Sequence, residues 1–255
     1  MKKYAAYLID LDGTMYRGSE KIEEAVDFAN ELVEKNIPHL YVTNNSTKTP
    51  QEVAEHLQSF GIQATKDHVL TTAMATAQYI YERQPNASVY AIGESGLKKA
   101  LTDKGLTLTE ENPDIVIVGL DREVTYEKLT IACLAVRQGA LFISTNGDIA
   151  LPTERGMQPG NGSITSVVTV STQTEPIFIG KPETVMMEQA LELLQVTKEQ
   201  ALMIGDNYDT DILAGIRSDV DTLFVHTGVT TVEDLKTKKI QPTYSLPTLA
   251  DWTFL

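Results

Sequence analysis

Two acidic segments, one near each end of the chain, limit most strongly what this sequence can fold into. Segment 10–14 reads Asp-Leu-Asp-Gly-Thr and segment 205–211 reads Gly-Asp-Asn-Tyr-Asp-Thr-Asp, and each directly follows a short apolar run. Such runs are typical of buried strands. In an open α/β sheet, ligands bind at the carboxyl ends of the strands. We therefore expect carboxylates from both segments at one sheet edge, where a hard cation such as Mg²⁺ would relieve their repulsion.

Strand-like and helix-like patterns alternate along the sequence, which predicts an α/β fold with a mainly parallel, Rossmann-like sheet. The predicted strands are 4–9, 38–42, 69–71, 89–92, 115–118, 141–144, 177–179, 201–204 and 222–225. The predicted helices are 22–34, 50–60, 73–83, 97–103, 126–137 and 185–194. We expect the strands up to 71 and those from 177 onward to form one core sheet, and the strands between them a second one.

The composition limits the partners of the chain. Its 255 residues carry a formal net charge of −14, which opposes binding to a nucleic-acid polymer, because that requires clustered Lys and Arg. No segment approaches the roughly 20 consecutive apolar residues of a membrane span. The apolar run before Asp10 is too short for the core of a signal peptide. We therefore expect a cytoplasmic protein that binds neither nucleic-acid polymers nor membranes.

Four short motifs, taken in order, resemble those of the haloacid dehalogenase superfamily of phosphohydrolases. They are segment 10–14, the Thr-Asn-Asn of 43–45, Lys181, and segment 205–211. The longer strings Val-Thr-Asn-Asn-Ser at 42–46 and Ile-Gly-Lys-Pro-Glu at 179–183 are similar to the NagD-like branch. The resemblance implies a phosphatase acting on nucleotides, sugar phosphates or other small phosphoesters.

The spacing of these motifs predicts where a second domain is inserted. The interval between Asp12 and Thr43 has room for one loop and one crossover helix, whereas the interval between Asn45 and Lys181 is far longer than a crossover needs. We therefore predict a catalytic core of residues 1–80 and 177–255. Residues 81–176 would form an inserted α/β cap of the C2 type that selects the substrate.

The resemblance assigns the catalytic residues position by position. Asp10 is the candidate nucleophile, which divides a slow hydrolysis into two easier steps through an aspartyl-phosphate. Asp12 would act as the general acid and base. Gly13 would let the backbone turn closely around the phosphoryl group. Thr43 and Lys181 would bind the non-bridging oxygens and neutralise charge in the transition state.

The resemblance also implies a Mg²⁺ site. In the family the metal is held by the side chain at the Asp10 position, the backbone carbonyl at the Asp12 position and the side chain at the Asp206 position. Asp211 would orient these ligands from behind.

Substrate binding is assigned to residues that flank these motifs. Asn44 and Asn45 follow Thr43 directly. Asn146, Gly147 and Asp148 follow a predicted strand and resemble a loop that contacts the catalytic cleft in this branch, although a proline often stands where Gly147 is. The partner would be a small phosphoester, and a homo-oligomer formed through the cap is also left open.

These assignments predict a Mg²⁺-dependent phosphomonoesterase that hydrolyses small metabolites, with nucleoside monophosphates or sugar phosphates foremost. Two alternatives stay open. One is a phosphotransferase or mutase that uses the same intermediate, and the other is a non-catalytic receiver-like module. The length of the insertion and the presence of Asp12 argue against the module, and release of free phosphate would separate all three.

Overall fold

The structure is a computed structural model that describes residues 2–153 and 155–254. Its strands are β1 (Ala6–Ile9), β2 (Tyr16–Arg17), β3 (Glu20–Lys21), β4 (His39–Thr43), β5 (Val69–Thr71), β6 (Ser88–Ile92), β7 (Thr107–Leu108), β8 (Ile115–Val118), β9 (Leu141–Ser144), β10 (Ala150–Thr153), β11 (Gly156–Pro159), β12 (Ile177–Phe178), β13 (Ala201–Gly205), β14 (Asp221–Val225) and β15 (Tyr244–Leu246). Its α-helices are α1 (Glu23–Glu34), α2 (Pro50–Ser59), α3 (Thr72–Arg83), α4 (Ser95–Asp103), α5 (Tyr126–Arg137), α6 (Asn161–Thr172), α7 (Thr184–Leu194), α8 (Leu213–Arg217) and α9 (Val232–Thr237).

The chain divides into two compact units. The first unit contains the chain through Thr43, the segment Gln51–Leu70, and the chain from Lys181 onward. The second unit contains Asn44–Pro50 and Thr71–Gly180. Helix α3 belongs with the second unit, where it packs against α4. The division therefore falls at Thr71 and Gly180, whereas the sequence places the limits near residues 80 and 176.

The first unit is built on a six-stranded sheet in the order β15-β14-β13-β1-β4-β5. Strand β1 pairs in parallel with β13 on one side and with β4 on the other. All four residues of β1 are buried, as expected for a parallel strand covered on both faces. The aromatic residues Tyr4, Tyr7, Phe28 and Trp252 pack in the core of this unit. The central position of β1 places the residue after it, Asp10, at the middle of the carboxyl edge of the sheet.

The second unit has its own five-stranded sheet in the order β12-β9-β8-β6-β7, and every neighbouring pair is parallel. Helices α5 and α6 pack on this sheet with residues such as Ala132, Val136 and Val168. An antiparallel hairpin of β10 and β11 precedes α6. The predicted α/β class with parallel sheets and a Rossmann-like core is confirmed.

One predicted strand belongs to the other sheet. Segment 177–179 is predicted to return the chain to the core sheet, but β12 pairs with β9, with Ile177 opposite Ile143 and Phe178 opposite Ser144. The expectation that this strand rejoins the first sheet is therefore wrong. An apolar run of this length fits either sheet equally well, and only the pairing decides between them.

No helix within residues 2–153 and 155–254 combines the length and the apolar character needed to cross a bilayer.

Candidate active site

Three neighbouring strands of the first unit place polar residues at one sheet edge. In the sheet register, Ile9 of β1 lies opposite Tyr41 of β4 and Ile204 of β13. Asp10 follows β1 directly, Thr43 is the last residue of β4, and Asp206 follows β13. Because parallel strands end on the same side, these residues come together at the carboxyl edge, as the sequence predicts.

Three carboxylates converge at this edge. One oxygen from each of Asp10, Asp206 and Asp211 lies within 4.8 Å of the others. Asp206 and Asp211 are buried, and Asp10 is partly buried with a side chain that is 13% exposed. Clustered carboxylate oxygens are the ligands that Mg²⁺ prefers. The donor set therefore fits a hard divalent cation, with Asp10 offering the solvent-accessible side of the site.

Lys181 supplies the positive charge of the cluster. Its Nζ lies 2.6 Å from Asp10 Oδ1 and 2.7 Å from Asp211 Oδ1, and its side chain is only 1% exposed. Burial lowers the pKa of Lys181, but the charges of Asp10 and Asp211 and their hydrogen bonds together raise it by more. The pKa of Lys181 therefore lies above the usual value. Lys181 is therefore a permanently charged ammonium group that bridges two carboxylates.

Burial and the negative charge that Lys181 does not neutralise raise the pKa values of Asp206 and Asp10. Burial raises the pKa of Asp206 to about 6, and the nearby Asp211 adds to this effect, while hydrogen bonds from Val229 and Thr14 oppose it. Burial and Asp211 also raise the pKa of Asp10 well above its usual value, although Lys181 opposes this. One lysine thus compensates three carboxylates incompletely, and a divalent cation would complete the compensation.

The carboxylate of Asp206 is held from both sides. Thr14 Oγ1 donates a hydrogen bond to Oδ1 over 3.0 Å, and the backbone amide of Val229 donates to Oδ2 over 2.7 Å. Gly13 has a φ of +91°, and a Cβ at this position would overlap the Asp206 carboxylate. Thr227 Oγ1 donates to the Gly13 carbonyl over 2.6 Å. These contacts fix the direction in which Asp206 presents its oxygens.

Asp211 is fixed in a similar way from the turn that follows β13. It accepts hydrogen bonds from Lys181 Nζ, from the backbone amide of Asn207 over 3.1 Å and from Thr210 Oγ1 over 3.2 Å. A Cβ on Gly205 would overlap its side chain. Asp211 thus holds Lys181 in place, which fits its predicted supporting role.

Asp12 differs from the other acids of the site because its side chain is exposed. The backbone amide of Gly18, in the turn between β2 and β3, lies 3.4 Å from Asp12 Oδ1. The hairpin of β2 and β3 begins four residues after Asp12 and was not predicted. The carboxyl group of Asp12 is therefore open to solvent, whereas that of the nucleophile candidate Asp10 is partly buried.

Comparisons with known proteins identify the family. A model of haloacid dehalogenase-like hydrolases matches residues 7–107, and a HAD-hydrolase-like model matches residues 178–252. The 5'-nucleotidase YutF of Bacillus subtilis (strain 168) is 56% identical over 252 residues, covering 99% of this chain and 98% of the relative. The chain belongs to the haloacid dehalogenase-like hydrolases. The predicted resemblance to this superfamily and its NagD-like branch is confirmed.

Two further relatives of this hydrolase carry related names. An acid sugar phosphatase of Staphylococcus epidermidis is 58% identical over 250 residues, covering 98% of this chain and 96% of the relative. The structure of a mutant of the thermostable p-nitrophenylphosphatase from Bacillus stearothermophilus superposes with a TM-score of 0.91 and 61% identity, covering 100% of both chains.

The predicted substrate-binding residues outside the carboxylate cluster lie in the second unit of this hydrolase. The side-chain amide of Asn44 donates to both oxygens of Asp148, over 3.2 and 3.3 Å. Asn146 is buried, and its Nδ2 donates to the Asn44 carbonyl over 2.8 Å. Asn45 Oδ1 accepts from the backbone amides of Thr47 and Lys48 and so shapes the turn before α2. The structure brings Asn44, Asn146 and Asp148 together, and their contact with substrate stays a prediction.

The loop that follows β14 also supports the site, and no motif in the sequence predicts it. Thr227 and Val229 hold Gly13 and Asp206, and a Cβ on Gly228 between them would overlap Asp206. Its position in the sequence could have indicated this role, because the loop directly follows an apolar strand, as the other site segments do. Thr14 lies within the first motif but had no assigned role.

Proposed function

We propose that this hydrolase is a Mg²⁺-dependent phosphomonoesterase that acts through an aspartyl-phosphate on Asp10. The main support is that Lys181 joins Asp10 and Asp211 beside Asp206, so that a candidate nucleophile, a cation and two further carboxylates share one sheet edge. The names of the relatives, a 5'-nucleotidase, an acid sugar phosphatase and a p-nitrophenylphosphatase, support phosphate ester hydrolysis.

In the first step, a carboxylate oxygen of Asp10 attacks the phosphorus and the bond to the ester oxygen breaks. Asp12 gives its proton to the departing oxygen, so the alcohol leaves neutral. General acid catalysis of this kind typically contributes about 10²- to 10⁴-fold. The exposure of Asp12 supports this role, because the leaving group must depart on the solvent side.

In the second step, Asp12 accepts a proton from a water molecule that attacks the phosphorus. The bond between phosphorus and Asp10 breaks, inorganic phosphate leaves, and both carboxyl groups return to their starting states. Asp12 thus acts first as an acid and then as a base.

The negative charge of the phosphoryl group would be neutralised by residues that are held in place before the substrate binds. Lys181 and Thr43 would donate hydrogen bonds to the non-bridging oxygens. Asp10 and Asp206, with the backbone carbonyl of Asp12, would hold Mg²⁺, and Asp211 would orient them. When bound, this ion supplies positive charge that offsets the phosphoryl oxygens.

For the substrate we propose small monoesters, with nucleoside monophosphates or sugar phosphates preferred. The second unit would act as the cap that selects among them. A panel of nucleotides, sugar phosphates, glycerol phosphates and pyridoxal phosphate tests this choice through release of free phosphate. Activity confined to phosphoproteins or pyrophosphates would contradict it.

The mechanism is tested by separating the two aspartates of the first motif. In Asp10→Asn the shape is kept but the anionic nucleophile is lost, so neither turnover nor phosphoenzyme should be found. In Asp12→Asn the nucleophile remains, and with p-nitrophenyl phosphate, whose leaving group needs no proton, a hydroxylamine-sensitive phosphoenzyme should accumulate on Asp10. Rapid quench and mass spectrometry would locate the modified residue. A phosphoryl group on Ser, Thr or His would overturn the mechanism.

The metal requirement and the alternatives are tested on the same wild-type protein. Chelation should abolish turnover and Mg²⁺ should restore it, whereas Ca²⁺, which prefers more ligands and a looser geometry, should substitute poorly. A phosphotransferase would deliver the phosphoryl group to an added alcohol acceptor rather than to water. A receiver-like module would become phosphorylated without releasing phosphate over many turnovers.

A further inference from the structure

Asn161, the first residue of α6, is a buried amide that no predicted role explains. Its side chain is 2% exposed. Its Nδ2 donates to the Val118 carbonyl over 3.3 Å and to the Asn146 carbonyl over 2.8 Å, and it lies 3.0 Å from Ser144 Oγ. Two carbonyl acceptors at one end of the amide show that this end is the nitrogen. Asn161 therefore ties the end of β8 to the loop that follows β9.

The start of α6 and this loop are packed as one piece. Gly160 and Gly162 flank Asn161, and a Cβ on either would overlap a backbone carbonyl of the loop, that of Asp148 or Gly147. The amide of Gly162 also donates to the Asp148 carbonyl over 2.9 Å. Neither contact tolerates a side chain, so the loop has little freedom to shift along the helix.

The loop in turn forms hydrogen bonds with Asn44, the residue that follows Thr43 in the chain. Asn146 Nδ2 donates to the Asn44 carbonyl, and Asp148 accepts the side-chain amide of Asn44. Thr72 Oγ1 donates to the same carbonyl over 2.9 Å. The main chain and the side chain of Asn44 are thus both fixed, which restricts the peptide that carries Thr43.

The same loop also forms a hydrogen bond with Gly180, the residue that precedes Lys181. The amide of Gly180 donates to the Thr145 carbonyl over 2.7 Å. A Cβ on Gly180 would lie 2.6 Å from Asn44 Oδ1 and 2.7 Å from the Thr145 carbonyl oxygen. Asn44 and Gly180 each lie at a point where the chain passes from one unit to the other, and both contact this loop.

We propose that Asn161 is a positioning residue for phosphoryl transfer: it fixes the loop of residues 145–148, which holds Asn44 and Gly180 and thereby sets the backbone of Thr43 and Lys181. The inference rests on the proposed function, since it gives Thr43 and Lys181 the role described there. It also gives Asn146 and Asp148 a different task from substrate recognition. Their side chains are engaged with Asn44, so they act on every substrate alike.

The kinetic test uses Asn161→Ser, which shortens the side chain, together with Asp148→Asn, which leaves the loop in place and weakens its hold on Asn44. Phenyl phosphate, a nucleoside monophosphate and a hexose phosphate serve as substrates. We expect kcat to fall by the same factor on all three, by up to about 100-fold, because small displacements of positioned groups carry that penalty. KM should stay within about twofold, since positioning acts mainly on the transition state.

The second measurement does not depend on activity. Hydrogen exchange followed by mass spectrometry should show faster exchange in peptides covering 44–48 and 179–182 in both variants, with the peptide around Asp206 unchanged. Val168→Ala is the matched control, because Val168 is buried on the same helix but packs in the apolar core of the second unit. It should leave kcat and the exchange of both peptides at wild-type values.

The outcomes separate this inference from the proposed function. A change of more than about threefold in the ratio of kcat/KM between substrates, in either variant, would make the loop a substrate contact and overturn the positioning role. Unchanged exchange at 44–48 and 179–182 would overturn it as well. A wild-type protein that hydrolyses no phosphomonoester would instead refute the proposed function, while the exchange data would still show whether Asn161 holds Asn44 and Gly180.

Discussion

The two units of this protein follow the same plan of parallel strands with polar residues at their carboxyl ends, but they fill those ends with different chemistry. In the first unit the polar groups are charged, with Lys181 between Asp10 and Asp211. In the second unit they are neutral, with Asn161 hydrogen-bonded around Ser144 and the following loop. Charged groups are costly to bury and useful for phosphate chemistry, whereas a satisfied neutral network fixes shape. The contrast therefore separates the charged edge of the first unit, which is suited to the reaction, from the neutral network of the second unit, which is suited to holding the backbone in position.

The largest effect is expected from removing the buried lysine. Lys181→Met leaves Asp10 and Asp211 without their cation, so stability should fall by about 3–5 kcal/mol and activity by about 10²- to 10³-fold. Lys128→Met is the counterpart in the second unit, where Lys128 pairs with Asp121 but is itself partly exposed. It should cost about 1–2 kcal/mol and leave turnover intact. Urea unfolding and steady-state kinetics measure both, and equal losses in the two variants would break the contrast.

A second comparison uses two glycines with positive φ. Gly13→Ala combines a strained backbone with overlap of the Asp206 carboxylate, and should cost about 2–5 kcal/mol and weaken Mg²⁺ binding. Gly105 has a φ of +78°, but a Cβ added there would meet nothing within 4 Å, so Gly105→Ala should cost only about 1–2 kcal/mol. Thermal unfolding with increasing Mg²⁺ distinguishes strain from loss of the metal site. Normal Mg²⁺ affinity in Gly13→Ala would show that Asp206 can move aside.

The charged edge should also respond to pH. Because burial raises the pKa of Asp206 to about 6, the contribution of this group to the stability of the metal-free protein is fully present at low pH and is lost as the pH rises through that value. Mg²⁺ requires the ionised form, so its stabilising effect runs in the opposite direction. At one fixed Mg²⁺ concentration, the increase in Tm should be clearly larger at pH 7.5 than at pH 5.5. A pH-independent increase would mean that the ion binds elsewhere.

The smallest effect is expected in the neutral network. Thr165 Oγ1 lies 2.8 Å from Ser144 Oγ, and both are buried. Thr165→Val removes this hydrogen bond at nearly constant volume and should cost about 1 kcal/mol. The loss should be the same at pH 5.5 and pH 8, since neither hydroxyl titrates in that range. A strongly pH-dependent loss would indicate a charge that couples to this network.

Strong local patterns made most elements predictable. Helix α5 and strands β5, β8 and β9 have the predicted bounds, because the helix has apolar residues at a helical spacing and the strands are short apolar runs. The hairpin of β10 and β11 was missed, since Pro152 interrupts its first strand and proline argues against a strand. The sheet to which 177–179 belongs could not be read locally, because strand pairing depends on residues far away in the sequence.

The acids of the site were predictable, because the resemblance assigns them one by one and each lies after a predicted strand. The contacts that hold these acids in place were not predictable. Val229 holds Asp206 through a backbone amide, which any residue except proline would supply. Asn161 lies in a glycine-rich stretch, residues 156–163, whose sequence is typical of a plain connecting loop, and only the structure shows that Asn161 is buried and hydrogen-bonded to Val118.

The pairing of β1 has a consequence for the order in which the protein forms. Ala6 lies beside Ala201 in the finished sheet, so the central strand of the first unit gains this neighbour only after about 200 of the 255 residues have been synthesised. The second sheet joins strands that all lie between residues 88 and 178. Closing the shorter loops costs less entropy. We therefore expect the second unit to become structured on the ribosome first, while β1 waits for its partner from the other end of the chain.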